Sequence, residues 1–221
     1  VKADAETRER LIEAAERLFA QQGFKRVTVR EICRAARANV AAVNYHFGDK
    51  LGLYREVLQG AIRAMRETNE AARAAGEGQR AEEELRRYIE VFLQRVLKPG
   101  SGAIHQLITR EMNDPTPVLD DLVEQGVRPR VEYLSGVIAR MIGCDPKDER
   151  VLRCVASVQA QAVSYFPNPI AKRLGFVLEP TPAQIGKAAD HIATFSIAGV
   201  RAVGGGPGRS SGQPVPGPEP A

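Results

Sequence analysis

Side chains able to do covalent or metal chemistry are few and scattered in this sequence. Its histidines, His46, His105 and His191, fall on three separate segments, and its cysteines, Cys33, Cys144 and Cys154, lack any CxxC spacing. Neither set has the local spacing of a metal site or a nucleophile–base pair, and three dispersed cysteines support neither a disulfide framework nor a zinc ribbon. GGGPG, near the end, lacks the Lys and Ser/Thr of a phosphate-binding loop and reads as linker. The expectation is a protein with reduced thiols and with no catalytic residue, no metal and no cofactor.

Hydrogen-bonding chemistry is concentrated instead in TVREICRAARANVAAVNYHFGDK, residues 28–50. Thr28 followed by Glu31 is a capping-box pair, and Val29, Ile32 and Ala36 then share one helical face. Asn39 is a second cap, after which Val40, Val43 and Phe47 recur at helical spacing. Ala41, Ala42, Asn44, Tyr45 and His46 are left on the other sides. Two short helices with a small, hydrogen-bonding outer face make a helix-turn-helix able to lie in a DNA major groove, where amide, phenol and imidazole reach base edges or phosphates. Spacing alone would equally suit a helical hairpin that only packs. Gly48 suits the end of the second helix, and Asp49 caps another that begins at Lys50, a phosphate contact by charge and position.

These residues, with ETRERLIEAAERLFAQQGF before them and NYHFGDKLGLY as the most specific tract, resemble the DNA-binding domain of TetR/AcrR-type transcriptional regulators. NVAAVNYHF is similar to the subgroup with a CecR-like ligand domain, as are REMNDPTPVLDDLVEQGVRPRVEYL and NPIAKRLGF further on. The resemblance implies that Arg30, Ala41, Ala42, Asn44 and Tyr45 face DNA, with Thr28, His46 and Lys50 on its backbone. It also implies a homodimer paired through the final helices, an effector pocket and repression of transcription from a palindromic operator. Arg37 stands where the turn usually has Gly, and Asn44 where Tyr is frequent.

A second group of polar or adaptable side chains lies within otherwise apolar helical patterns. Tyr88, Phe92, His105, Arg110, Tyr133, Gln159 and Tyr165 are the candidates for an effector pocket, because a small molecule is oriented by a few donors converging in an apolar cavity. Satisfied core groups or dimer contacts would show the same pattern. Cys33 reads as a small buried residue rather than a redox sensor.

The elements that must position these groups are all helical, since no stretch alternates with period two. Hydrophobic residues make up 43% of the chain and aromatics only 5%, which favours packed helices of Leu, Val, Ile and Ala. A first amphipathic helix, Thr7 to about Gln22, completes a three-helix unit with the helix-turn-helix. A long helix from Lys50 joins it to a helical domain, in which Gly76 and Gly78 mark a loop and Glu82 to Glu84 a solvated first turn. Pro129 is expected to kink a helix, and Asp145–Pro146 and Thr181–Pro182 to cap two others. Pro146 to Phe166 and Pro182 to Val203 are the expected dimer helices, their small residues permitting close approach.

The resulting division is an N-terminal DNA-binding domain at 1–50, an effector-binding and dimerisation domain at 51–203, and a flexible Gly/Pro-rich tail at 204–221. Residues 1–66 carry 13 Lys/Arg against 8 Asp/Glu, so the whole excess of positive charge sits with the helix-turn-helix and points to a polyanionic partner. With a charged, amphipathic start and no apolar run long enough for a signal peptide or membrane span, the cytoplasm is the expected compartment. Two alternatives remain open at this stage. One is an all-helical small-molecule binder or enzyme without DNA binding. The other is a basic membrane-surface protein, disfavoured because the positive residues are not confined to one amphipathic helix.

Overall fold

The computed structural model describes residues 2–98, 100–166, 169–175 and 179–205. Most of these are helical, with no strand among them. In chain order the helices are α1 (Lys2–Gln22), α2 (Val29–Ala36), α3 (Val40–Phe47), α4 (Lys50–Gly76), α5 (Ala81–Val96), α6 (Gly102–Asn113) and α7 (Leu119–Leu122). A π-helical turn, Val123–Val127, leads into α8 (Arg128–Ile142), followed by α9 (Glu149–Ser164), α10 (Pro169–Arg173) and α11 (Pro182–Gly204). Of the tail expected from 204 onward, Gly204 closes α11 and Gly205 caps it, and the rest lies outside the described residues, as the PNP helix stop largely does.

Two apolar cores organise the chain. The first gathers Leu11, Ala15 and Phe19 of α1, Ile32 and Ala36 of α2, and Val43 of α3 against Leu53, Tyr54, Val57 and Leu58 of α4. Leu107 and Val118, from far along the sequence, complete it. The opening turns of α4 therefore pack with the N-terminal unit, which borrows its remaining apolar cover from α6 and the segment after it. The second core is built from α5, α8, α9 and α11, with Leu85, Ile89, Leu134, Val155 and Ile192 among its members. α4 spans both, and at 27 residues it is roughly 40 Å long.

Several sequence expectations are revised. α1 begins at Lys2 rather than Thr7. α4 continues to Gly76, so that glycine is helical: a Cβ there would lie 2.8 Å from Glu84 Cγ, and α5 closes against α4 at this point. The acidic first turn of α5 is not simply solvated, since Glu84 is buried and pairs with Arg140 while Glu82 meets Arg201. Finally, α9 starts at Asp148, whose carboxylate accepts from Arg150 N–H. Asp145 instead accepts from Lys147 N–H in the preceding turn.

Pro129 does not kink a continuous α-helix. The strain is taken up one turn earlier by the π segment, where Arg128 N–H bonds to the Val123 carbonyl, and Pro129 occupies the first turn of α8, where its missing N–H costs nothing.

Candidate nucleic-acid interface and effector site

The helix-turn-helix is held by local caps. Thr28 Oγ1 accepts from Glu31 N–H at 3.3 Å while the Glu31 carboxylate accepts from Thr28 N–H at 2.8 Å and from the Thr28 hydroxyl at 2.7 Å. This arrangement holds the exposed Glu31 carboxyl below its ordinary pKa. Arg37 closes α2 at φ 51°, ψ 47°, so the left-handed turn is kept by an arginine, at a cost of about 1 kcal/mol. Asn39 Oδ1 accepts from Ala41 N–H at 3.0 Å and starts α3. Gly48, at φ +78°, ends it, and Asp49 starts α4 by accepting from Gly52 N–H at 2.8 Å. Gly52 went unnoticed in the sequence, yet a Cβ there would stand 1.9 Å from the Phe47 carbonyl oxygen.

Arg30, Ala41, Asn44 and Tyr45 are all exposed, Tyr45 by 77%. Thr28 is exposed too, with its hydroxyl engaged in the capping box. Three candidates are placed otherwise. Ala42 is half-buried and packs on the N-terminal core, while Val40, expected inside, is 41% exposed. The His46 side chain is only 8% exposed and its Nε2 lies 3.3 Å from Asp4 Oδ1, so α1 covers it and no phosphate reaches it in this arrangement. Lys50 Nζ donates to the Val27 carbonyl at 2.9 Å and lies 4.4 Å from the centre of the Phe24 ring. Its burial lowers its pKa, and one of its three protons is committed to the fold.

The seven effector-pocket candidates separate. Tyr88 and Phe92 of α5 and Tyr133 of α8 form one aromatic group, with ring centroids 6.0 Å apart for Tyr88–Phe92 and 5.5 Å for Tyr88–Tyr133. The hydroxyls of Tyr88 and Tyr133 and the Gln159 amide nitrogen are buried without a hydrogen-bond partner. Burial raises both phenol pKa values, assisted for Tyr133 by the neighbouring Glu84 carboxylate. Tyr165 packs on the same core from the end of α9.

His105 is elsewhere, its ring 4.0 Å from that of Phe166, and burial depresses its pKa. Arg110 does not enter the interior at all. Its guanidinium donates to the carbonyls of Ala20, at 3.1 Å, and Gln21, tying α6 to the end of α1. His105 and Arg110 line an open cleft of about 700 Å³ between α6 and the α1–α2 connection.

A residue not singled out in the sequence joins the aromatic group. Arg130 lies 5.5 Å over the Phe92 ring, and its Nε is buried and unpartnered. Its spacing of three from Tyr133 at the start of an amphipathic helix was the available signal.

An all-helical chain with a capped helix-turn-helix on a three-helix unit, leaning on a larger helical domain, defines a DNA-binding transcriptional regulator. Residues 11–57 match the model for bacterial regulatory proteins of the tetR family, and residues 81–200 match that for the C-terminal domain of the HTH-type transcriptional dual regulator CecR. The chain belongs to the TetR family of transcriptional regulators, which are not enzymes, and carries a CecR-type C-terminal domain. CecR of Shigella flexneri is 29% identical over 156 residues, covering 66% of this chain and 70% of that protein. Among solved structures, a regulatory protein of the tetR family from Rhodococcus RHA1 superposes with a TM-score of 0.65 at 16% identity, covering 88% of this chain and 96% of the other. PfmR, a TetR family regulator from Thermus thermophilus, gives 0.62 at 18% identity over 86% and 97%. Among the described residues, no helix is long and apolar enough to cross a membrane, and no group of three or more His, Cys, Asp or Glu could hold a metal ion.

Proposed function

We propose that the protein is a homodimeric repressor that binds a palindromic operator in the cytoplasm and is released by a small-molecule effector. Residues 1–50, backed by the opening turns of α4, would contact DNA, and residues 51–203 would hold the effector site and the dimer interface. The observation that carries this reading is the outer side of the helix-turn-helix. There Arg30, Ala41, Asn44 and Tyr45 are exposed together, and Tyr45 exposes 77% of a large aromatic side chain that no packing within one chain requires. A major groove takes such a set: the alanine permits close approach, and amide, phenol and guanidinium reach base edges or phosphates.

Dimerisation is supported by the last long helices. Leu152 and Val163 of α9 and Phe195 and Val203 of α11 are between 40% and 64% exposed, apolar surface of the kind a second copy would cover. Selection from a random DNA pool tests the whole reading. An inverted repeat with half-sites about one helical turn apart, or a multiple of it, is the expected outcome. Failure to enrich any sequence, with fluorescence anisotropy showing no binding at low salt, would exclude it.

A further inference from the structure

Several arginines at the second core are paired with acids. Arg140 meets Glu84, Arg201 meets Glu82 and Arg86 meets Asp190. Arg130, on the first turn of α8, by contrast has no ion pair and no hydrogen bond among the described residues, although its Nε is shielded from solvent. The acids nearest along the chain are oriented elsewhere, Glu124 forming an ion pair with Arg128 and Glu132 adding to the field on that same arginine. On the facing helix, Glu84 pairs with Arg140 and lies beside the Tyr133 hydroxyl. The Phe92 ring, 5.5 Å from the guanidinium carbon, attracts the charge but accepts none of its in-plane N–H donors.

Tyr88 is 2% exposed and its hydroxyl is unpartnered, whereas the buried Tyr133 hydroxyl has the Glu84 carboxylate beside it. Neutral phenols beside a guanidinium offer O–H donors, and Arg Nε can only donate. The Tyr88 hydroxyl can donate or accept, whereas Arg130 Nε–H and the guanidinium charge have neither acceptor nor counter-ion among the described residues. A shielded N–H on a cation that lacks a counter-ion is best met by an anion with acceptor oxygens. Beside Arg130 lie the stacked Tyr88 and Phe92 rings, inclined by 12°, and the Tyr133 ring, all apolar neighbours of the guanidinium. Arg130 as a whole keeps partial exposure, so the group is reached from the surface at that end.

We propose that Arg130 is the anion-recognition point of the effector site, and that the effector is an amphipathic anion: a carboxylate, sulfonate or phosphate carried on a flat apolar body. This rests on the effector-responsive reading above and narrows it to a ligand class. The anionic group takes Arg130 Nε–H and the Tyr88 hydroxyl as donors, while the body lies against the aromatic rings.

1-Anilinonaphthalene-8-sulfonate and its uncharged parent N-phenyl-1-naphthylamine share a ring frame and differ by the sulfonate, so they isolate the charge. Fluorescence titration is expected to show Arg130→Gln losing affinity for the sulfonate about tenfold or more, since hydrogen bonds to charged groups are the strong ones. The uncharged probe should bind both proteins equally. Displacement by 2-naphthoate and by 2-naphthyl phosphate, but not by 2-naphthamide, would tell which anionic group is preferred. Equal sulfonate affinity in the two proteins, or an equal loss for both probes, overturns the proposal. Should Arg130→Gln fail to fold, the wild-type Arg130 Nε–H signal in a 1H–15N spectrum decides. It is expected to shift and exchange more slowly with 2-naphthoate and not with 2-naphthamide; an unmoved signal overturns the proposal. Operator binding by the unliganded wild-type protein is measured separately, so failure of the ligand class and failure of the regulatory reading are distinguishable.

Discussion

Asn44 sits on the exposed side of α3, within one turn of both Ala41 and Tyr45, where an amide can pair with adenine N6 and N7. Asn44→Ala is expected to relax base preference at one position in each half-site by about 1–3 kcal/mol, read from a selected-site library. If every position keeps its preference, Asn44 is not a reading residue. Lys50 is a different case, because its Nζ is already bound to the Val27 carbonyl and rests by Phe24. As a point charge at the start of α4 it still has donors for a phosphate, so Lys50→Ala should weaken all sequences alike and make the salt slope of log K shallower by about one. Loss of the Val27 bond adds a stability effect that denaturant unfolding separates from the slope. His46 belongs to the fold instead, as the contact that closes α3 on α1 through Asp4.

Between elements, small features decide how closely helices meet. Gly52 lets the first turn of α4 approach the end of α3, since a Cβ would sit 1.9 Å from the Phe47 carbonyl. Gly52→Ala must displace backbone and should cost about 1–3 kcal/mol or more, measured by urea unfolding; an unchanged midpoint would disprove the close approach. His105 provides a pH test. Burial favours its neutral form in the fold and lowers its pKa from the ordinary value near 6.5. The unfolded chain therefore binds the proton more readily, so stability is full above pH about 6.5 and falls as the pH drops from there toward the folded pKa. His105→Gln should flatten that acid-side decline in melting temperature. Features of this kind differ in how they appear in sequence. Caps are local, so Thr28 with Glu31, Asn39, Asp49 and Thr181 were all readable, and they fixed the helix-turn-helix to within a residue. Asp145 failed as a cap because its carboxylate serves the turn that Pro146 makes, three residues before α9. Arg130 looked like any exposed arginine, and Arg110 like a polar pocket residue. What distinguishes them is the helix packed opposite, which pattern along one segment does not contain.

At the scale of the molecule, the DNA-binding unit is joined to the rest by more than the length of α4. Arg110 of α6 holds the α1 carbonyls of Ala20 and Gln21, Lys25 pairs with Asp114, and the Tyr54 hydroxyl donates at 2.6 Å to Glu111, which is fully buried and also accepts from Thr116. A shift of α6 or a tilt of α4 thus carries α1 with it, and with α1 the recognition helix packed on it. In a dimer the two recognition helices must match half-sites set by the DNA repeat, so a displacement of a few ångströms spoils simultaneous docking. Arg110→Ala should then leave effector affinity in the free protein nearly unchanged while reducing the effect of effector on operator binding. Linkage makes the wild-type coupling measurable from either side: an effector that weakens DNA binding by a given factor must bind the operator complex more weakly by the same factor, typically about 1–3 kcal/mol. Titrating one effector into protein with and without saturating operator reads that factor directly. Equal affinities in the two states, alongside effector-dependent release of DNA, would break the cycle and assign the release to another cause. Equal coupling in wild type and Arg110→Ala would instead show that the Arg110 tie is not the route between the sites.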